Sequence, residues 1–214
     1  MDIRGHGHSS HPAKFSSYQI DNLTQDVKQI IDAEAVEDFI LVGHSWGATI
    51  ALAHAVNLPQ KLKGLIIISG WHLPLHPSSK FAKALINNLI NILAFISPPA
   101  ISPKHSSYPP GKFHKDYEWL GLTKTIVRNS LKSYLLSLKE AVNLNLETHI
   151  EKINVPTLFI AGTKDTIVHP SIPQKMHSSV KGSKLKFIEG ANHVAILNNP
   201  KEVYTQIQNF LEEI

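Results

Sequence analysis

The sequence predicts an α/β protein in which a mostly parallel sheet is flanked by helices. Short, almost wholly apolar runs recur along the chain, helical patterns separate them, and a glycine ends each run. Strands that are apolar on both faces are typical of a parallel sheet covered by helices on both sides. The chain has 214 residues, of which 43% are hydrophobic and 18% charged, which is the composition of a globular protein.

The first predicted elements are a helix, a strand and a second helix. Apolar residues after Ile20 follow helical spacing, which predicts a helix that ends near Glu34. The run FILVG at 39–43 predicts a buried strand. The alanine-rich stretch ATIALAHAV at 48–56 predicts a helix that Pro59 stops.

Three more strands and a last helix complete the predicted core. The strands are GLIIISG at 64–70, PTLFIAG at 156–162 and KLKFIEG at 184–190. The alternation in the last run is typical of an edge strand. Asn199, Pro200 and Glu202 stand in the N-cap, N1 and N3 positions of a helix that begins there.

The segment 71–150 interrupts the alternation of strands and helices. It combines a helical pattern at 79–97, a Pro/Ser/His-rich loop at 97–115 and a second helical pattern from Ile126 to Val142. Its nine basic and four acidic residues give it a net charge of +5, against −1 for the rest of the chain. We therefore expect a single domain, 1–214, whose core (1–70 and 151–214) carries a helical cap inserted at 71–150.

Composition excludes several classes of function. The absence of cysteine excludes disulfides, thiolate zinc sites and a cysteine nucleophile. No secretion signal is visible, so we expect a cytoplasmic protein, and no clustered basic run indicates a nucleic-acid partner. The apolar stretch 81–96 is too short and too polar for stable membrane insertion. Association of this helix with a membrane surface remains an open alternative.

The stretch Gly43-His44-Ser45-Trp46-Gly47 carries the strongest chemical signal. It is a G-x-S-x-G motif between a predicted strand and a predicted helix, where a tight turn lifts the serine off the strand end. The helix that follows directs its free N–H groups at the serine, so the backbone N–H of Trp46 can donate to an oxyanion. The alternative is a glycine-flanked serine that only caps the helix.

A serine nucleophile needs a base and an orienting acid. Asp165 follows the third predicted strand and His193 follows the fourth, so both lie with Ser45 at the carboxyl ends of parallel strands. Their chain order, Ser, Asp, His, is that of an α/β-hydrolase triad. Taken singly, Asp165 could be a loop-capping acid and His193 an ordinary histidine.

Together these motifs resemble the α/β-hydrolase superfamily, in its serine esterase/lipase-like branch with a helical cap. The resemblance spans essentially the whole chain. It includes DIRGHGHS at 2–9, GHSWG at 43–47, GTKDTIV at 162–168 and GANHVAILNNP at 190–200. The last motif carries Asn198 where the family usually has an acid. A serine at position 45 argues against the dehalogenase and epoxide-hydrolase branches, which use an aspartate there.

The resemblance implies ester hydrolysis through an acyl-serine. Ser45 would attack, His193 would carry the proton and Asp165 would orient the imidazole, with no metal and no organic cofactor. A small apolar ester is the expected substrate, and Trp46, Trp71 and His72 are the expected substrate contacts. For each of these three, ordinary packing is the alternative.

The resemblance also sets an expectation about the start of the chain. In the family the turn at 2–9 follows the fourth of eight strands, so the strands here correspond to the last four. We expect the strand at 39–43 to be an exposed edge open to a second copy or a complementing chain, and the second oxyanion donor to be missing. A misassigned start, a truncated gene, a split protein and a non-catalytic binding protein all stay open.

The histidines near the start allow one further alternative. His6, His8 and His11 have a spacing that a metal site on extended chain would permit. No carboxylate cluster accompanies them, and a family turn accounts for Gly5 and Gly7 directly.

Overall fold

A computed structural model describes residues 1–74, 79–97 and 130–214. Most of the predicted loop at 97–115 and the start of the second helical pattern, 126–129, lie outside the described residues. The described residues form two compact units. One, the sheet unit, comprises 27–72 and 146–214, and the other, the helical unit, comprises 1–26, 73–74, 79–97 and 130–145. The predicted division into core and cap stays a prediction.

The sheet unit contains four strands in the order β1-β2-β3-β4, and every neighbouring pair is parallel. The strands are β1 (Phe39–His44), β2 (Leu62–Ile68), β3 (Thr157–Gly162) and β4 (Lys184–Ile188). The predicted parallel α/β sheet is therefore confirmed. Because the strands are parallel, their carboxyl ends meet at one edge of the sheet, and the loops that leave this edge can bring distant residues together.

Seven α-helices occur in the described part of the chain. They are α1 (Ile20–Ala33), α2 (Trp46–Asn57), α3 (Lys80–Ile96), α4 (Leu131–Asn143), α5 (Ser171–Ser179), α6 (Ala195–Asn198) and α7 (Pro200–Leu211). Short 3₁₀ turns occur at Phe15–Tyr18 and Ile150–Lys152. None of the helices in the described ranges combines the length and the hydropathy needed to cross a bilayer.

The core of the sheet unit lies around the two central strands, β2 and β3. On one face, apolar residues of these strands and Ile188 of β4 pack against Val203 and Phe210 of α7. The helix α2 is buried over 48–55, with its apolar residues distributed around the whole helix. A helix that is apolar on all sides is stable only inside a protein, which explains why ATIALAHAV was recognisable from composition.

β1 differs from the prediction of a buried strand. It pairs with β2 and forms one edge of the described sheet, with 36% of Ile40 and 50% of Val42 exposed. The strand is apolar on both sides although one side faces solvent. Its apolar composition therefore wrongly predicted that both sides are buried. Its position as an exposed edge, expected from the family resemblance, is confirmed.

Two structural features near β3 and β4 differ from the sequence predictions. The helix α5 buries only Pro173 and Met176 and has no apolar periodicity that the sequence analysis could use. Asn199 is the N-cap of α7, with Pro200 in its first turn, but its side chain makes no capping hydrogen bond. Asn199 also ends α6, where its N–H donates to the carbonyl of Ala195.

The helical unit is built on α3 and α4, which lie within the two helical patterns predicted at 79–97 and from Ile126 to about Val142. Its core combines residues of the two helices with Tyr18: Tyr18, Ile90, Ala94, Leu135, Leu136 and Val142. The hydroxyl of Tyr18 lies 2.8 Å from Ser133 Oγ and 2.9 Å from the carbonyl oxygen of Pro12. Burial raises the pKa of Tyr18, so this hydroxyl stays neutral and available for hydrogen bonds.

The predicted turn at the start of the chain is confirmed. Gly5 and Gly7 have φ values of 81° and 52°, which glycine adopts without strain. The carboxylate of Asp2 accepts a hydrogen bond of 2.9 Å from the N–H of His8, and a Cβ on Gly7 would come within 2.1 Å of that carboxylate. Within the described ranges, no three His, Asp or Glu side chains are grouped closely enough to hold a metal ion.

Candidate active site

Ser45 lies at the junction between β1 and α2 in a strained conformation. Its φ of 53° and ψ of −123° are unusual for a residue with a side chain, and its N–H donates to the carbonyl of Ile68 over 2.9 Å. Although Ser45 is the N-cap residue of α2, its side chain makes no capping hydrogen bond. Its Oγ instead lies 2.8 Å from Nε2 of His193, so the alternative of a simple helix-capping serine is wrong.

The two glycines of the motif are not equivalent. A Cβ on Gly43 would lie 2.4 Å from the carbonyl oxygen of Gly47 and 2.6 Å from the backbone of Ala48. Gly43 is therefore needed because the first turn of α2 passes directly over it. A Cβ on Gly47 would meet nothing within 4 Å, so close packing requires a glycine only at position 43.

His193 and Asp165 meet Ser45 from the loops that follow β4 and β3. Nδ1 of His193 lies 3.0 Å from Oδ2 and 3.2 Å from Oδ1 of Asp165. Oδ1 of Asp165 also accepts hydrogen bonds from the N–H groups of Ile167 and Val168, at 3.0 and 2.7 Å. The structure thus brings together the three residues that the sequence analysis placed at the strand ends.

The environment of Asp165 keeps its carboxylate charged. Burial alone would raise the pKa of Asp165, but the hydrogen bond and charge of His193, together with the N–H of Val168, hold its pKa below the usual range. A carboxylate only accepts hydrogen bonds, so Nδ1 of His193 must carry the proton. In the neutral imidazole this leaves a lone pair on Nε2, which accepts the hydrogen of the Ser45 hydroxyl.

His44, the variable residue of the motif, is a further member of this site. Its Nε2 donates to the backbone carbonyl of His193 over 2.9 Å, and the two imidazole rings lie 5.4 Å apart. Burial lowers the pKa of His44 to about 4, so the ring is neutral near pH 7. The sequence analysis missed this role, because the contact joins residues that are far apart in the chain.

Trp46 and Trp71 form an aromatic pair next to the serine. Their rings stack with centroids 5.7 Å apart and an interplanar angle of 22°. The backbone of Trp71 is held by Thr49, whose Oγ1 donates to its carbonyl over 3.0 Å. Both indole N–H groups are buried without an acceptor in the described part of the chain. Trp46 is the first residue of α2, so its backbone N–H has no acceptor within the helix.

His72, the third expected substrate contact, lines a different space. It borders a cavity of about 450 Å³ together with Glu147, Lys175 and the neighbouring polar residues of α5, and none of Ser45, Asp165 and His193 lines this cavity. Burial lowers the pKa of His72 to about 4, so the ring is neutral. A role of His72 in substrate binding stays a prediction.

Several curated relatives align with the whole chain, and two of them illustrate the range of activities. A proline iminopeptidase of Saccharolobus solfataricus is 23% identical over 234 residues, which cover 100% of this chain and 75% of the relative. Epoxide hydrolase 3 of Xenopus tropicalis is 24% identical over 233 residues, which cover 100% of this chain but 63% of that protein.

The fold and the family follow from two further comparisons. The structure of an esterase from Exiguobacterium antarcticum superposes with a TM-score of 0.76 at 20% identity, over 99% of this chain and 80% of the esterase. At that identity the superposition shows the fold alone. The family model described as "Serine aminopeptidase, S33" matches residues 1–201. The chain therefore belongs to this family of hydrolases, within the α/β-hydrolase superfamily.

Proposed function

We propose that this chain is a serine hydrolase that cleaves carboxylic esters through an acyl-serine on Ser45. The observation that carries the proposal is the continuous hydrogen-bonded path from Ser45 Oγ through the imidazole of His193 to the carboxylate of Asp165. A serine hydroxyl becomes an effective nucleophile only when such a base can take its proton.

Acylation begins when Ser45 Oγ attacks the carbonyl carbon of the ester. The new Oγ–C bond forms as the hydroxyl proton moves to Nε2 of His193, 2.8 Å away. The imidazolium that results is stabilised by the charged Asp165. When the tetrahedral intermediate collapses, the bond to the leaving oxygen breaks and Nε2 returns the proton to it. The products of this half-reaction are the acyl-serine and the free alcohol.

The backbone N–H of Trp46 stabilises the oxyanion of both tetrahedral intermediates. This N–H belongs to the first residue of α2, so the positive end of the helix dipole adds to the potential at the oxyanion. One such donor contributes about 10²–10³-fold in turnover. In deacylation a water molecule gives its proton to His193 and attacks the acyl carbon, which releases the acid and restores the hydroxyl of Ser45.

Burial and charge favour a neutral, apolar substrate. Trp46, which follows the nucleophile in the chain, stacks on Trp71, and an apolar substrate is compatible with this aromatic pair. Apart from Asp165, every carboxylate of residues 27–72 and 146–214 is exposed. The described sheet unit therefore has no second buried anion to bind a free α-ammonium group. An ester substrate needs no such anion, whereas one relative is a proline iminopeptidase.

The first test is covalent labelling with a fluorophosphonate, which reacts with activated serines. We expect the full chain to be labelled and the Ser45→Ala variant to stay unlabelled. Ser178→Ala removes an exposed serine of α5 and serves as the matched control. Absence of labelling in folded wild-type protein would instead support a non-catalytic binding protein.

The second test compares substrate classes. We expect kcat/KM to be higher for p-nitrophenyl esters of apolar acids than for L-prolyl-p-nitroanilide, and ester turnover to fall about 10⁴-fold or more in Ser45→Ala. A preference for the prolyl anilide, lost in the same variant, would replace the ester proposal with an aminopeptidase.

A further inference from the structure

The helix α3 of the helical unit presents a continuous stripe of large apolar side chains to solvent. Between 54% and 84% of each side chain in this α3 stripe is exposed: Phe81, Leu85, Leu89, Ile92, Phe95 and Ile96. Their spacing repeats at three and four residues, so they share one side of the helix along its whole length. Asn88 lies on the same side of the helix and is a polar residue among these apolar side chains. Apolar patches of this kind on a protein surface usually mark a binding surface.

The α3 stripe is not needed to hold the helix in the fold. The opposite side of α3 packs through Ile90 and Ala94, with Ile86 beside them, in the core that includes Tyr18 and Leu135. Asn87 and Asn143 link α3 to α4 through reciprocal side-chain hydrogen bonds of 3.1 and 2.8 Å. The helix is thus apolar on two sides, and only one of them has a partner in the helical unit.

The charges around the stripe are positive. The two helices carry four lysines: Lys80, Lys83, Lys132 and Lys139. Their one acidic residue is Glu140, whose side chain is buried and accepts a hydrogen bond from the N–H of Ile20 over 2.8 Å. The two helices therefore present cations and no exposed carboxylate to solvent.

Two of these cations lie on one flank of the stripe. Lys139 donates a hydrogen bond of 2.8 Å to Asn91, which lies between the exposed and the buried side of α3. Helical geometry places Lys80 on the same flank, eleven residues before Asn91. An ammonium group at the border of an apolar stripe is well placed for a lipid headgroup.

From these observations we infer that the α3 stripe binds the surface of a membrane that contains anionic lipids, with the helix axis in the membrane plane. The apolar side chains enter the boundary between headgroups and acyl chains, and the flanking lysines contact the headgroup phosphates. The 17 residues of α3 make a helix about 25 Å long that lies on the bilayer and does not span it. A second copy of the chain fits less well, because its α3 and α4 would offer these lysines no exposed carboxylate.

Cosedimentation of the full chain with vesicles tests the inference. We expect binding to vesicles of phosphatidylcholine with phosphatidylserine, weaker binding to phosphatidylcholine alone, and loss of the difference at high salt. Leu89→Gln/Ile92→Gln changes two exposed residues of the stripe and should lower the partition coefficient about tenfold or more. Ile30→Gln/Tyr204→Gln changes two exposed apolar residues of the sheet unit and should bind like wild type.

Circular dichroism and thermal unfolding establish that both variants are folded before binding is compared. Ser45→Ala should bind vesicles as well as wild type does, since the surface acts without catalysis. The inference is overturned if wild type does not sediment with the anionic vesicles or if the stripe variant binds unchanged. It is also overturned if sedimentation velocity without lipid shows a dimer that the stripe variant abolishes, because the occupant is then a second copy.

Discussion

The imidazole of His44 donates a hydrogen bond from Nε2 to the backbone carbonyl of His193 over 2.9 Å. His44 directly precedes Ser45, so the strand that carries the proposed nucleophile also fixes the loop that carries the proposed base. The side chain of His193 is held by Asp165 and Ser45, and its backbone by His44. Two separate segments, 44–45 and the loop that carries Asp165, thus determine the position of one imidazole.

Replacing His44 should lower turnover while substrate binding is kept. His44→Phe retains a buried ring but removes the donor to the His193 carbonyl, so we expect kcat to fall about 10–100-fold with KM little changed. His44→Gln offers an amide N–H in a similar place and should recover part of the loss. Steady-state kinetics on a p-nitrophenyl ester measure both values. Wild-type kcat in a folded His44→Phe variant would contradict a positioning role.

Asp165→Asn should separate orientation of the imidazole from the fold of the site. The neutral amide no longer requires the proton on Nδ1, so the lone pair on Nε2 that faces Ser45 is lost in part of the molecules. We expect kcat to fall about 10⁴-fold in a variant that circular dichroism shows to be folded. Asp38→Asn, which changes an exposed carboxylate of the same unit, is the control and should keep wild-type kinetics. Equal activity of the two variants would exclude Asp165 from the mechanism.

The elements that the sequence predicted are those with a strong local signal. Two of the apolar runs became β2 and β3, which are buried on both faces, and the ends of β1, β3 and β4 placed Ser45, Asp165 and His193 at one edge of the sheet. Glycine gave an equally local signal at Gly5 and Gly7, where positive φ is observed. Strand ends and turn glycines are properties of a few consecutive residues, so one sequence suffices to recognise them.

The features that the sequence did not predict depend on distant contacts. The contact between His44, the last residue of β1, and His193, in the loop after β4, depends on how these two segments pack together. No local sequence pattern encodes that packing. The helix α5 buries little apolar surface and contains Pro173, so it lacks the periodicity that identifies a helix. The sequence also contains no sign that His72 borders a cavity together with Glu147 and Lys175, residues far from it in the chain.

The two glycines of the serine motif should differ in their tolerance of alanine. Gly43→Ala places a Cβ 2.4 Å from the carbonyl oxygen of Gly47, so β1 and α2 must separate. We expect this variant to lose about 1–3 kcal/mol in the free energy of unfolding. Gly47→Ala meets open space in the first turn of α2 and should be neutral or slightly stabilising. Urea unfolding of the two variants tests this contrast, and similar destabilisation of both would refute it.

Stability should decline as the pH falls from about 6.5 to 4, because burial lowers the pKa of three histidines. The pKa values of His44 and His72 are about 4, and that of His6 is lowered as well. Between these values and the usual pKa of about 6.5 the unfolded chain binds more protons than the folded chain. The stabilisation is complete above about pH 6.5 and is lost as the pH falls towards 4. Asp165 contributes in the same sense but at lower pH, since its pKa is also lowered.

The contribution of His44 to this pH dependence can be isolated by comparing wild type with a variant that lacks the imidazole. His44→Gln removes one titrating imidazole, so the loss of unfolding free energy between pH 6.5 and 4 should be about 3 kcal/mol smaller than in wild type, at most. Other groups, including Glu140, whose pKa burial raises, titrate alike in both proteins and cancel. His177→Gln replaces an exposed histidine of α5 by the same residue and serves as the matched control. Urea unfolding across this range measures all three proteins. Parallel curves for wild type and His44→Gln would mean that His44 has the same pKa in the folded and the unfolded chain, which would contradict this prediction.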